Sequence, residues 1–343
     1  MAPIPEPSDI LRSVERFRAQ VLARDEAAMR QLAREWVRVE KRMMDTLTAV
    51  SQEAADAVAK GAAVDPNLLL RLRRAEDLYK QVHKELSKYG EVLDDIVTEN
   101  QRQMIRLAGE STAETLRWAG ALAANFNYLP VNAFESMIGQ VAQGGPLFEY
   151  FMRTLPEETI TQMGRALAQG LAQGKNPKVT ARVMRDAMGI GHERALLISR
   201  TETMRAYRHA QLANYRQTNI GAVGWKWICA KQVRTCVSCL AKDGQVFPLE
   251  QEFVDHPLGR CSSVLVIPGR EFSWRTGREW FKAQPEDVQK KMMGAQKWTA
   301  WRGNQIAFDD LSQPHSSPVF GTHYATASLE QALDNAAQRR GGL

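Results

Sequence analysis

Residues Val223 to Pro268 read VGWKWICAKQVRTCVSCLAKDGQVFPLEQEFVDHPLGRCSSVLVIP, and all four cysteines of the chain fall inside them. Cys236 and Cys239 form a C-x-x-C, and His256 and Cys261 follow on a later stretch. Two thiolates on one tight turn can face a single ion, and an imidazole plus a third thiolate from a second loop complete a tetrahedron. The spacing therefore predicts a closed Cys3His zinc site at Cys236, Cys239, His256 and Cys261, with Cys229 outside the ligand set. Around it, Val223, Trp225, Trp227 and Cys229 alternate with Gly224, Lys226 and Ile228, the period of a half-buried strand. Asp243-Gly244 is a turn pair that sends Gln245-Val246-Phe247 back as a short strand, and Val264 to Ile267 is an apolar run suited to a buried one. So small a sheet has little core of its own, and an ion between its turns would act as a staple.

Three ordered blocks resemble the phage Mu F-like minor head proteins. The first is Arg234-Thr235-Cys236-Val237-Ser238-Cys239, then Asp243 to Pro248, then His256-Pro257-Leu258-Gly259-Arg260-Cys261. The second is Gly174-Lys175-Asn176-Pro177, a helix, and Ile198 to Thr203 leading to Tyr207 and Tyr215. The third is Gly277 to Phe281 and Gln289 to Gly294, so that the similarity covers roughly residues 155 to 312. The chain departs from the family pattern at Gln232, where many relatives have an acidic residue, and at Gly259, where many have a further cysteine. The resemblance implies a minor structural protein of a tailed phage or prophage. It would be associated with the portal inside the head, in several copies, and act in head assembly and in packaging or ejection of DNA. Portal protein is the implied partner, with viral DNA and the major capsid protein as further ones.

With 343 residues, 44% of them hydrophobic and 24% charged, the chain has the make-up of a soluble protein of two or three domains. No run approaches the length of a membrane span, and Met1 to Pro7 has no signal pattern, so the expectation is a protein made in the host cytoplasm with no membrane partner. Leu32, Trp36, Val39, Met43, Leu47, Val50, Ala54 and Ala57 step by threes and fours, predicting one long helix to about Lys60. Asp65-Pro66 is a helix start, and Leu72, Ala75, Tyr79, Val82, Leu86, Tyr89, Leu93, Ile96, Asn100, Met104 and Leu107 form the seam of a second. The short link folds the two antiparallel. Ser111 and Glu114 cap a third helix to about Phe126, and Gly144-Gly145-Pro146 marks a break. Shorter helices run from Pro156 to about Gln173, from Pro177 to Gly189, and from His192 to Arg216.

The predicted fold is α+β and mostly α: a long N-terminal antiparallel helical hairpin (1–145), a basic central helical bundle (146–216), a small zinc-stapled antiparallel β module with Trp-rich helices (217–312), and a flexible tail with a short helix (313–343). Residues 160–216 hold 10 Lys and Arg against 3 Asp and Glu, which concentrates positive charge there. Such a band suits phosphate backbones or an acidic protein surface, and Arg182, Arg185, Arg194 and Arg208 are the candidate contacts. Arg200, Glu202 and Arg205 read as a structural ion pair, with Glu202 three positions from Arg205. Glu202 has no His or second carboxylate at helical spacing, so it reads as structural and the chain as no enzyme. His192 and His209 read as surface residues. Six of the eight tryptophans lie between Trp225 and Trp301, amid Arg270, Arg275, Arg278, Lys282, Lys290, Lys291 and Lys297; core anchors overlaid by cations are the favoured reading over base-stacking platforms. Rival readings are a zinc-containing nuclease, with Glu252 and Asp255 near His256, and a zinc protein that binds DNA as a regulator.

Overall fold

The computed structural model describes residues 7–118, 128–141, 145–218, 221–269 and 273–341. The expected helix end near Phe126, Gly144 and Arg270 lie outside the described residues. The architecture is α+β and mostly α, with three small antiparallel sheets among the described residues. The chain sorts into two compact units, one of residues 1–23, 101–138 and 201–343, the other of residues 24–100 and 139–200.

Helix α1 (Pro7–Ala59) and helix α2 (Ala75–Trp118) supply segments to both units. At 53 residues, α1 is about 80 Å long. In the second unit, Leu32, Trp36, Val39, Met43, Leu47, Val50 and Ala54 of α1 are buried, as the periodicity predicts. The α2 side of the seam is Leu78, Val82, Leu86, Tyr89, Leu93 and Val97; Tyr79 is 40% exposed. The expected Tyr79 and Ile96 are thus each displaced by one position. The buried positions from Leu78 to Val97 take mostly four-residue steps, longer than the 3.5-residue period of the expected seam, so the two patterns part at their ends. Glu85 bonds Arg42 at 2.5 Å, and the Gln81 side-chain amide donates to the Arg42 carbonyl at 2.9 Å, which fixes the antiparallel pairing.

The second helix also starts later than Asp65-Pro66 suggests. Asp65 does accept from the Asn67 amide at 2.8 Å, but the chain makes only a 3-10 turn (Leu68–Arg71) and goes extended at Leu72. That turn buries Leu68 and Leu69. Glu53 of α1 then accepts from the Arg73 and Arg74 amides at 2.8 and 3.2 Å, satisfying donors at the head of α2.

Strands β1 (Gln140–Val141) and β2 (Gly145–Pro146) pair briefly before helix α3 (Leu147–Ala172), which carries Pro156 inside it. Helix α4 (Pro177–Gln217) is continuous where two helices were expected. Its start is as predicted: the Asn176 side chain accepts from the Val179 amide at 3.0 Å, with Pro177 at the first position. The expected stop at Gly189 does not occur. At nearby Gly191 a Cβ would meet Leu155 and Thr159 of α3 at 3.2 and 3.3 Å, so that glycine serves close helix packing and not chain reversal.

The first unit holds the β module. Strands β3 (Gly224–Ile228), β4 (Val246–Phe247) and β5 (Ser262–Val266) form an antiparallel sheet in the order β4-β3-β5, with the one-turn helix α5 (Val237–Lys242) between β3 and β4. Trp225 stacks on Phe247 and Phe253 with ring centres 4.6 and 4.7 Å apart, and both Trp225 and Trp227 are fully buried, as core anchors. Gly224 is required here, because any Cβ would overlap the Phe247 carbonyl. Short helices α6 (Gly277–Lys282), α7 (Glu286–Met293) and α8 (Ala295–Arg302) follow. Lys290 lies over the Trp298 ring at 4.4 Å.

Residues 313–343 differ from the expected flexible tail. Strands β6 (Ser312–Ser317) and β7 (Gly321–Thr326) form a hairpin, and helix α9 (Leu329–Gly341) buries Ala332 and Ala336. Arg339 makes two bonds, 3.1 and 3.0 Å, to the buried Asp310. The middle of β6 is exposed, whereas His323 of β7 is buried, and backbone pairing between the two strands supplies the order. No helix among the described residues is long and apolar enough to cross a membrane.

Candidate metal centre

The site is built from two loops and the helix behind them. After β3 the chain turns through residues 230–235 and enters α5 with Cys236 as its N-cap, whose sulfur accepts from the Cys239 amide at 3.3 Å. One helical turn between them puts both sulfurs on the same side. Asp243, at the end of α5, ties the turn down: it accepts from the Cys229 amide (2.7 Å), the Gly277 amide (2.7 Å) and the Trp274 indole (3.1 Å).

The second loop is a tight turn over His256-Pro257-Leu258-Gly259, closed by the Gly259 amide on the His256 carbonyl at 2.8 Å. Pro257 presets the second position, and Leu258 takes the left-handed conformation (φ 63°) that the third position of a type II turn requires. The His256 Nδ1 lies 2.8 Å from the Pro257 carbonyl, which can only accept, so Nδ1 carries a proton. Its Nε2 points at the Cys236 sulfur, 3.3 Å away. Cys261 sits just before β5 and is buried.

The structure thus gathers the four expected donors. Cys236, Cys239 and His256 form one group, and Cys239, Cys261 and Asp255 another, with the donor atoms in each within 4.8 Å of one another. The surroundings of Cys236 favour its thiolate and those of His256 favour its charged ring. A hydrogen bond from Cys239 is the main force pulling the Cys236 thiol down, to about 5, with His256 adding to it against the cost of burial. Burial would lower His256, but its bond to Cys236 and the charge of Asp255 outweigh that and raise it to about 9. The Cys239 thiol is raised, first because it donates to the Cys236 sulfur, then by its bond to Cys261, burial and the nearby Asp255. Cys229, outside both groups, is pushed well up, chiefly by burial.

Do these residues fit zinc? An edge of a tetrahedron with one Zn–S and one Zn–N bond is about 3.6 Å, and the Cys236–His256 separation is close to it. A proton fixed on Nδ1 leaves Nε2 as the metal-facing nitrogen, the usual orienting device for a histidine ligand. The buried Trp227 indole N–H has no hydrogen-bond partner, and the Cys261 thiol is raised, chiefly by burial, with Cys239, Arg208 and Trp227 acting the other way. A metal-bound thiolate is an acceptor suited to that donor. The donor set is soft and enclosed, as zinc prefers.

Asp255 is the participant that sequence reasoning missed in this role. Its carboxylate accepts from the His256 amide (2.9 Å), the Cys261 amide (3.3 Å) and Arg208 (2.8 Å). Gly259 makes room for it, because a Cβ there would overlap the carboxylate.

Other predicted residues fall elsewhere. Arg208 is buried, with its guanidinium inside the module, so the expected contact with DNA or an acidic protein at Arg208 is corrected: no phosphate can reach it. Arg194 bonds Glu158 at 2.8 Å and Tyr150 at 3.2 Å, and Arg185 pairs with Asp186; Arg182 is exposed. Glu202 pairs with Arg205 at 2.5 Å, whereas Arg200 pairs with Asp25 of α1, so the three residues make two ion pairs. His209 is exposed, but His192 is half-buried, stacked on Trp36 and bonded to Tyr89 at 2.8 Å. The strand pair is held to α4 by neutral groups: Gln211 accepts from the Ser263 hydroxyl at 3.0 Å, and Tyr215 donates to the Ser263 carbonyl at 3.2 Å. Glu252 pairs with Arg216 at 2.9 Å.

Residues 161–268 match the family model described as Phage Mu protein F like protein. The matched stretch begins in α3 and ends just after β5, so it contains every donor of the site; the block from Gly277 to Gly294 lies beyond it. Neither a curated protein nor a solved structure matches the chain. Over residues 161–268, the stretch that builds the Cys3His cluster and the helix behind it, the chain is similar to the Phage Mu protein F-like family.

Proposed function

We propose that the protein is a minor structural head protein of a tailed phage, associated with the portal inside the capsid and acting in head assembly and in DNA packaging or ejection. Cys236, Cys239, His256 and Cys261 hold a structural zinc ion. The single observation that carries the reading is the convergence of these four donors within the stretch that matches the Mu F-like family. Four protein ligands leave no open position for an activated water, which supports a structural ion over a hydrolytic one. Metal binding at such a site is part of the folding free energy. The long paired helices offer an assembly surface for the portal or for further copies of the chain. Arg182 and Arg185 remain the candidate contacts to DNA or to an acidic protein. The test is co-expression with the portal protein and purification of the complex. A portal ring carrying this chain at a fixed ratio, with about one zinc per chain by elemental analysis, is the expected result. A chain that never accompanies the ring, or that cleaves plasmid with magnesium, would defeat the proposal.

A further inference from the structure

Arg208 lies on α4, 47 positions before Asp255, and its buried guanidinium reaches only into the loop that carries His256 and Cys261. Nε donates to the Cys261 carbonyl at 3.0 Å, and Nη2 donates to the Gly259 carbonyl at 2.7 Å and to the Asp255 carboxylate at 2.8 Å. Its carbon also sits 5.1 Å from the centre of the Phe253 ring. Asp255 passes the restraint on, accepting from the His256 and Cys261 amides, and it stands 3.4 Å from the Cys239 sulfur.

That last contact sets a charge problem. When an ion binds, Cys236, Cys239 and Cys261 are thiolates, and with Asp255 they place four negative charges against the two positive charges of zinc. Burying an uncompensated charge is strongly unfavourable, so a fixed cation beside Asp255 offsets part of that excess. A lysine would bring the charge, but not a planar fork that holds three acceptors at once.

We propose that Arg208 is a positioning residue for the metal centre: it clamps the Asp255–Cys261 loop in the ligating geometry and neutralises the carboxylate that would otherwise oppose the thiolates. This rests on the zinc reading above. The structure gives Arg208 this role through three hydrogen bonds to one loop, and none of them touches a ligand atom.

The test uses the full chain loaded with zinc, and follows metal transfer to a chromogenic chelator together with the spectrum of the cobalt-substituted protein. Outer-shell partners of metal ligands typically alter affinity by about 10- to 100-fold, so Arg208→Met is expected to release zinc that much faster and to perturb the thiolate-to-cobalt bands. Arg208→Lys, which keeps the charge, falls between Arg208→Met and wild type. Arg208→Met combined with Asp255→Asn recovers part of the loss, because the carboxylate charge has gone too. Arg216→Met, on the exposed side of the same helix, leaves release unchanged. If Arg208→Met retains zinc as the wild type does, or if Arg216→Met matches it, the positioning role is overturned while the zinc site stands. If the wild type itself holds no zinc, both fall. If Arg208→Lys and the double variant fail to fold as Arg208→Met does, the residue serves folding alone and the inference is overturned.

Discussion

Replacing Cys229 and Cys261 separately by serine distinguishes a metal staple from an ordinary core. Both thiols are almost fully buried, at 1% and 3% exposure, so each hydroxyl introduced incurs a similar desolvation cost, about 1–3 kcal/mol where no partner is found. Polar burial alone therefore predicts nearly equal losses. The metal adds a second contribution to Cys261→Ser only, since Cys229 belongs to neither donor group. An ion at 1,000 times its dissociation constant stabilises the folded state by about 4 kcal/mol, and a variant lacking one thiolate forfeits most of that. Urea unfolding followed by Trp fluorescence, with and without chelator, reads both contributions. Wild type and Cys229→Ser should lose about 4 kcal/mol on chelation, while Cys261→Ser should be less stable from the start and respond little. Equal chelator responses in the two variants, or none in the wild type, would refute the ligand assignment.

Gly224→Ala should destabilise the β module by roughly 1–3 kcal/mol, the usual cost of overpacking, because the new methyl overlaps the Phe247 carbonyl across the sheet; an unchanged urea midpoint would count against the strand pairing. Removing Arg200 takes a cation from Asp25, which is 1% exposed, and Arg200→Ala should cost about 3–5 kcal/mol; a change under 1 kcal/mol in thermal unfolding would show that the charge is satisfied otherwise. Burial holds His192 at about 4, below its ordinary 6.5. Between those values the unfolded chain binds a proton that the folded one refuses, so stability rises with pH across that window and is fully present above it. Allowing for partial exposure, the effect is about 1–2 kcal/mol, and a His192→Phe variant with the same pH slope as wild type would contradict it. Finally, Arg182→Ala with Arg185→Ala should flatten the salt dependence of any DNA binding; an unchanged slope in a filter-binding titration would move the contact elsewhere.

Much of the fold is legible because its signals are local. The α1 stripe and the Asn176-Pro177 start are set by residues within a few positions of one another, and the structure shows both; the strand around Trp225 also forms, but without the expected alternation, since Gly224 and Ile228 are buried and Val223 is 59% exposed. Errors arise where a local signal competes with distant packing. Gly189 resembles a helix stop until the continuous α4, with its close approach to α3 at nearby Gly191, is known. The Ser, Pro and His residues of 312–326 resemble a loose tail until their pairing across the hairpin is seen.

For the metal centre the division is the same. By itself the chain's order of residues determined that three thiols and one imidazole are candidates, because C-x-x-C and a turn-bound His-x4-Cys fix which side chains share a loop. Only the tertiary structure decided that Asp255 turns inward and that Arg208 points at it and away from solvent. Those two residues are 47 positions apart and on elements of different type, so no periodicity links them. A buried arginine and an exposed one are written with the same letter, and only the packing around them separates a structural clamp from a surface that could meet DNA.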